Sequence, residues 1–127
     1  MRITKTDIPT KIDAPGALAR HLPDFGVASG PMAAEYFIMG AGADLAPLLE
    51  GLAHDACDSA HWGYMLAGTV VVTYTDGSDE TCTTGDLFYW PPGHSVRMET
   101  DAELILFSPQ EQHAPVLDHI LAKMAGA

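Results

Sequence analysis

The chain has 127 residues, 47% of them apolar, and a formal net charge of −11 at pH 7. That length suits one hydrophobic core and excludes two ordinary domains. The carboxylate excess repels phosphate backbones and anionic lipid headgroups, so neither a nucleic-acid partner nor a membrane partner is expected.

The N-terminal segment, residues 1–31, is punctuated by Pro9, Pro15, Gly16, Pro23, Gly26, Gly30 and Pro31. This density predicts an irregular arm with one helical turn near Leu18 to Leu22. MRITKTDIPT has no apolar stretch of the kind a secretory signal needs. No apolar run is long enough to span a bilayer. A cytoplasmic location is therefore expected, where Cys57 and Cys82 would stay free thiols.

From Glu35 the texture changes to short segments rich in β-branched and aromatic residues. These are EYFIM, HWGYML, TVVVTYT, DETCTT, DLFYW, SVRME and ELILF, separated by Gly and Pro clusters. Such spacing predicts an all-β sandwich or barrel over residues 35–107. Val70, Val72 and Tyr74 alternate with Thr69, Val71, Thr73 and Thr75, the period of a half-buried strand. Asp76-Gly77 follows at once and marks a hairpin. A C-terminal helix is expected over residues 109–125. Ser108 is read as its cap, Pro109 as its first position and Pro115 as an interruption. Val116, Leu117, Ile120, Leu121 and Met124 share a face that should pack on the outside of the sheets.

Two motifs stand in the β region. GDLFYWPPGH runs from Gly85 to His94, and HWGYMLAG from His61 to Gly68. The first resembles the second cupin motif: a glycine, five residues, then Pro-x-Gly, here Gly85, Pro91 and Gly93. The second resembles the end of the first cupin motif, with Gly68 as its closing glycine. The resemblance implies a double-stranded β-helix, or jelly roll, as a single domain over residues 1–127. It also implies a small-molecule ligand, an interior site that often holds a divalent metal on three histidines and a glutamate, and a homodimer.

The departures from that pattern are specific. His61 stands where the family has its glutamate, and Val96 where it has the second-motif histidine. His94 lies two residues earlier. Side chains two apart on a strand share a face, so His94 should look inward with position 96, about 7 Å along. Cys57 precedes His61 by four residues and supplies a thiol; His54 is the alternative donor in the same loop. A thiolate with two imidazoles suits zinc, iron or a similar divalent transition metal. Cys57, His61 and His94 are thus the candidate metal ligands, with His54 behind them. The competing reading makes them hydrogen-bonded core residues with no cofactor.

Trp62, Tyr64, Tyr89, Trp90 and Met98 are the candidate pocket-lining residues, as aromatics and a methionine beside the motif histidines. Glu35 reads as a solvated strand end ahead of an acid or ligand at the barrel mouth, Cys82 as structural, and Arg97 as the partner of a surface carboxylate ahead of an anionic ligand. His113 and His119 fall in or near the terminal helix, with no chemistry expected at His119. The leading function is a small-molecule-binding barrel with a divergent interior site. The alternative is a metal-dependent enzyme of the dioxygenase or isomerase class. A Cys57 nucleophile assisted by His61 needs the two within hydrogen-bond reach.

Overall fold

The computed structural model describes every residue except Gly16, Pro23, Ser29 and Ala127. The punctuation read at Gly16 and Pro23 therefore lies outside the described residues. Among the described residues, ten strands and one α-helix follow in chain order. They are β1 (Arg2–Thr4), β2 (Thr10–Ala14), β3 (Ala17–Arg20), β4 (Met32–Met39), β5 (His61–Ala67), β6 (Thr69–Tyr74), β7 (Asp79–Thr83), β8 (Asp86–Trp90), β9 (His94–Met98), β10 (Ala102–Pro109) and α1 (Gln110–Met124). All seven segments read as strands from the sequence are strands.

Two antiparallel sheets form the body. One has the order β1-β8-β5-β10-β4, the other β7-β6-β9; β2 and β3 make a separate hairpin. The core lies between the two main sheets. Met65, Phe88, Trp90, Leu104 and Leu106 come from one; Val70, Val72, Cys82, Val96 and Met98 come from the other. Each set alternates with more exposed neighbours, the period of strands with one face on a core. Cys82 is fully buried among them, as its structural reading required.

Two glycines let the sheets close. A Cβ at Gly63 would strike the Phe88 ring and the Ile105 carbonyl, so only hydrogen there lets Phe88 lie over β5. Gly68 turns from β5 into β6 with φ +88°, and its missing Cβ leaves room for the backbone at Asp101 and Ala102.

The arm is more regular than its composition suggested. β1 adds to the edge of the large sheet beside β8, with Ile3 opposite Leu87. The helical turn expected near Leu18 is strand β3, paired with β2. Pro and Gly there punctuate hairpins as readily as coils, and composition does not distinguish the two.

Helix α1 also differs from expectation. Ser108 is the penultimate residue of β10, not a cap, and α1 runs through Pro115 without ending. Its buried stripe is His113 and Val116, continued by half-buried Ile120; Leu121 and Met124 are exposed. The helix does not lie on an outer sheet face. It packs over one end of the sheets, beside the helical turn Ala46–Leu49, which supplies buried Leu49.

Candidate metal centre

Three segments bring Cys57, His61 and His94 together. His61 opens β5 directly opposite Trp90 of β8, so both side chains take the inner face. His94 opens β9 and alternates inward with Val96 and Met98, as strand parity required. Cys57 lies in the loop before β5 and forms an isolated bridge with His94. Its N–H donates to the His94 carbonyl at 2.8 Å, and the His94 N–H donates back at 3.2 Å. That pairing holds the thiol on the side of the imidazole.

The loop reaches this position through two successive non-glycine residues in left-handed backbone, His54 (φ +57°) and Asp55 (φ +52°). The Asp55 carboxylate accepts from the Gly51 N–H at 2.9 Å and supports the turn. His54 is exposed and takes no part in the cluster.

The donor geometry is compact. Cys57 Sγ lies 3.4 Å from His61 Nε2. The His61 and His94 ring centroids are 5.0 Å apart. One ligand atom from each of the three residues falls within 4.8 Å of the others. A tetrahedral centre with bonds of about 2.0–2.3 Å needs donor separations of about 3.3–3.6 Å. A contraction of at most about 1.5 Å in any donor pair therefore brings the set onto one ion. All three side chains are buried.

Hydrogen bonds decide which ring nitrogens are free. His94 Nδ1–H donates to the Pro91 carbonyl at 2.7 Å, leaving Nε2 with its lone pair. His61 Nδ1 lies 2.6 Å from Ser108 Oγ, and the Ser108 hydroxyl in turn contacts a Glu35 carboxylate oxygen. A carboxylate only accepts, so Ser108 donates to Glu35 and its oxygen accepts from His61 Nδ1–H. His61 Nε2 is thus the lone-pair nitrogen facing Cys57. The other Glu35 oxygen accepts from His113 Nδ1. His113 also packs on His61, with ring centroids 4.4 Å apart.

Burial keeps these groups uncharged. It drives His61 well below the usual imidazole range, helped by His94 and His113, and His94 down to about 4. Burial pushes the Cys57 thiol up to about 11, with Glu35 and Asp58 adding to the effect. The nucleophile reading gains its distance but not its thiolate: a thiol held this high is a poor nucleophile at neutral pH. The same three groups suit a cation, because neutral imidazoles are ready ligands and a bound divalent ion deprotonates a coordinating thiol.

The cluster opens on an interior cavity of about 50 Å³. Its walls are mainly apolar, including Phe37, Leu49, Trp90, Met98 and Val116, and among the described residues no lysine or arginine lines it. Among the sequence-derived pocket residues, Trp90 and Met98 are on this wall. Trp62, Tyr64 and Tyr89 are not: strand alternation puts them on the opposite sheet face. There Trp62 stacks on Tyr89 at 4.8 Å, and its indole N–H meets the Phe25 carbonyl of the arm. The parity that turns His61 and Trp90 inward turns their neighbours outward.

Ser108 and His113 are site residues that the sequence reading missed, and Glu35 is one that it ranked as a solvated strand end ahead of an acid or ligand. Glu35 is not a solvated strand end; its side chain is 8% exposed. The signals were periodic. Glu35 shares the inner parity of β4 with Phe37 and Met39, and Ser108 that of β10 with Leu104 and Leu106. His113 stands three and seven residues before Val116 and Ile120, on one helical face.

Residues 53–108 match the family described as the AraC-like ligand binding domain. No curated protein matches the chain. Among solved structures, the EutQ protein of Clostridium difficile superposes with a TM-score of 0.50 at 17% identity, over 69% of this chain and 59% of that one. An RmlC-like cupin from Shewanella frigidimarina gives 0.45 at 28% identity, over 61% and 66%. Salicylate 1,2-dioxygenase from Pseudoaminobacter salicylatoxidans gives 0.48 at 18% identity, over 67% of this chain but 22% of that one. The chain spans less than two thirds of each of these proteins. The facing antiparallel sheets, the glycine motifs and the family match over residues 53–108 agree: this chain has the cupin fold, and the matched segment carries Cys57, His61 and His94.

Proposed function

We propose that the protein binds a small molecule at one divalent transition metal, zinc or iron, held inside the fold by Cys57, His61 and His94. The observation that carries this reading is the convergence of three buried donors from three separate segments. Both histidines already have Nδ1 engaged, so each offers Nε2. Three protein ligands leave a position open to the cavity, the arrangement of sites that bind or activate a ligand. A bound ion there would supply Lewis-acid chemistry.

The cavity limits the ligand. About 50 Å³ corresponds to a few water-sized groups, so the bound part of the ligand is only a few non-hydrogen atoms. With no cationic side chain on the wall, an anionic ligand would be held by the metal and not by the protein. A small, largely apolar molecule with one metal-seeking atom fits best.

Elemental analysis of untagged protein tests the proposal. Near one equivalent of zinc or iron is expected in the wild type. Less than a tenth of that is expected in Cys57→Ala and His61→Ala, with full content in Trp62→Ala. Sub-stoichiometric metal in the wild type, or equal metal in His61→Ala, defeats it.

The enzyme alternative, of the dioxygenase or isomerase class, draws support from the Glu35–His113 pair beside the open position, where a proton carrier would stand. Turnover in a substrate screen with the loaded protein, lost in His113→Ala at full metal content, would establish it. A homodimer is supported by exposed Tyr36, Ile38 and Phe107 on one face of the large sheet. Light scattering reads the assembly directly. A reducing, cytoplasmic setting is supported by two unpaired buried cysteines, Cys57 and Cys82. No helix among the described residues is long and apolar enough to cross a membrane.

A further inference from the structure

We propose that Glu35 is the positioning carboxylate of this centre. Through Ser108 it fixes which nitrogen of His61 faces Cys57 and His94, and directly it fixes the ring of His113 at the cavity wall. The proposal rests on the metal-binding reading above. Neither Glu35 nor His113 lies within residues 53–108, so the matched segment supplies the candidate ligands and the flanking strand and helix supply the carboxylate and its second imidazole.

Two facts about Glu35 need a common cause. A carboxylate 8% exposed is costly unless it is hydrogen-bonded. Among the described residues, neither lysine nor arginine pairs with it; its partners are the Ser108 hydroxyl and His113 Nδ1. Both partners are buried, Ser108 completely. Each of the two carboxylate oxygens is committed to one donor, and each donor leads to an imidazole at the cavity. Ser108 has one proton. Giving it to Glu35 obliges the serine oxygen to accept from His61 Nδ1–H, which leaves His61 Nε2 unprotonated 3.4 Å from Cys57 Sγ. If the serine proton pointed at His61 instead, His61 would present Nε2–H to the cluster and could not ligate. Glu35 therefore selects the ligating tautomer one residue removed from the ring, the role that outer carboxylates play at histidine metal sites.

A merely structural role would have Glu35 tie β4, β10 and α1 together, and would lower the stability of the metal-free fold alone. The test separates the two. Zinc affinity is measured by competition with a chromophoric chelator, and cobalt(II) spectra are recorded, for wild type, Glu35→Gln, Ser108→Ala and the double variant. Urea midpoints of the metal-free proteins give the structural share. Each single variant should bind zinc 10- to 100-fold more weakly at unchanged stoichiometry. The cobalt ligand-field bands should shift while the thiolate charge-transfer band from Cys57 persists. The double variant should lose no more than Glu35→Gln alone, because both changes cut one relay. If Glu35→Gln does not fold, Ser108→Ala, which removes a single hydroxyl, decides the same comparison. Zinc affinities within twofold of wild type, or losses that multiply in the double variant, overturn the positioning role alone. A wild type that binds no zinc overturns both this role and the metal reading beneath it.

Discussion

The loop from Leu52 to Cys57 turns on two residues with unfavourable backbone. Left-handed φ at a non-glycine residue costs about 1–2 kcal/mol, somewhat less for aspartate. His54 bears that cost with no side-chain hydrogen bond among the described residues, while the Asp55 carboxylate holds the Gly51 N–H. His54→Gly should thus stabilise the protein by roughly 1 kcal/mol, read as a higher urea midpoint with unchanged slope. Metal content should not change, since His54 is exposed and outside the cluster. A fall in bound metal would return His54 to the ligand set. At this scale the sequence was a partial guide. Residue chemistry identified Cys57, His61 and His94, and strand parity turned His94 inward. It put Cys57 ahead of His54 on ligand chemistry alone; the left-handed turn at His54 and Asp55, which leaves His54 exposed and Cys57 buried, is not encoded in composition.

Strand and helix boundaries were legible where a period or a turn residue marked them, as at Asp76-Gly77 between β6 and β7. They were not legible in the arm, where the same prolines and glycines serve coil and hairpin alike. The arm's first strand matters to the fold. Arg2 places Nε and a terminal nitrogen on the two Asp86 oxygens at 2.6 and 2.7 Å, and Asp86 also accepts from the Thr83 N–H at 2.9 Å. The Arg2 guanidinium holds the Asp86 carboxyl below the usual carboxylate range. Asp86 is 2% exposed and Arg2 37%. Removing the cation leaves a buried carboxylate with one backbone donor, at a cost of about 2–3 kcal/mol, tempered by solvent at the arginine. Arg2→Ala should show that loss in urea, and Asp86→Asn/Arg2→Ala should recover part of it, because the stranded charge is gone. Equal stability of wild type and Arg2→Ala would mean that β1 is an ornament on the edge of β8.

Across the whole molecule the acidic exterior and the neutral interior respond to acid in opposite ways. The net charge of −11 means that protonating surface carboxylates relieves self-repulsion, mostly below pH 5. The buried imidazoles act earlier and in the other direction. His94 titrates near 4 in the fold against about 6.5 in an unfolded chain, and His61 is displaced the same way. Above pH 6.5 both states are neutral there and the fold keeps its full stability. As pH falls from 6.5 towards 4 the unfolded chain takes up protons that the fold refuses, so stability drops. His94 alone contributes on the order of 3 kcal/mol over that window. The metal-free protein should therefore weaken between pH 7 and pH 4.5, before most carboxylates titrate. His94→Gln removes this step while leaving the surface charge alone, so the difference between the two urea profiles isolates the buried imidazole from the acidic background. The difference should grow steadily from pH 6.5 down to about 4 and then level. Parallel profiles would mean that His94 meets solvent in the native state, and a solvated His94 would also undo the buried, lone-pair-rich cluster on which the proposed metal binding rests.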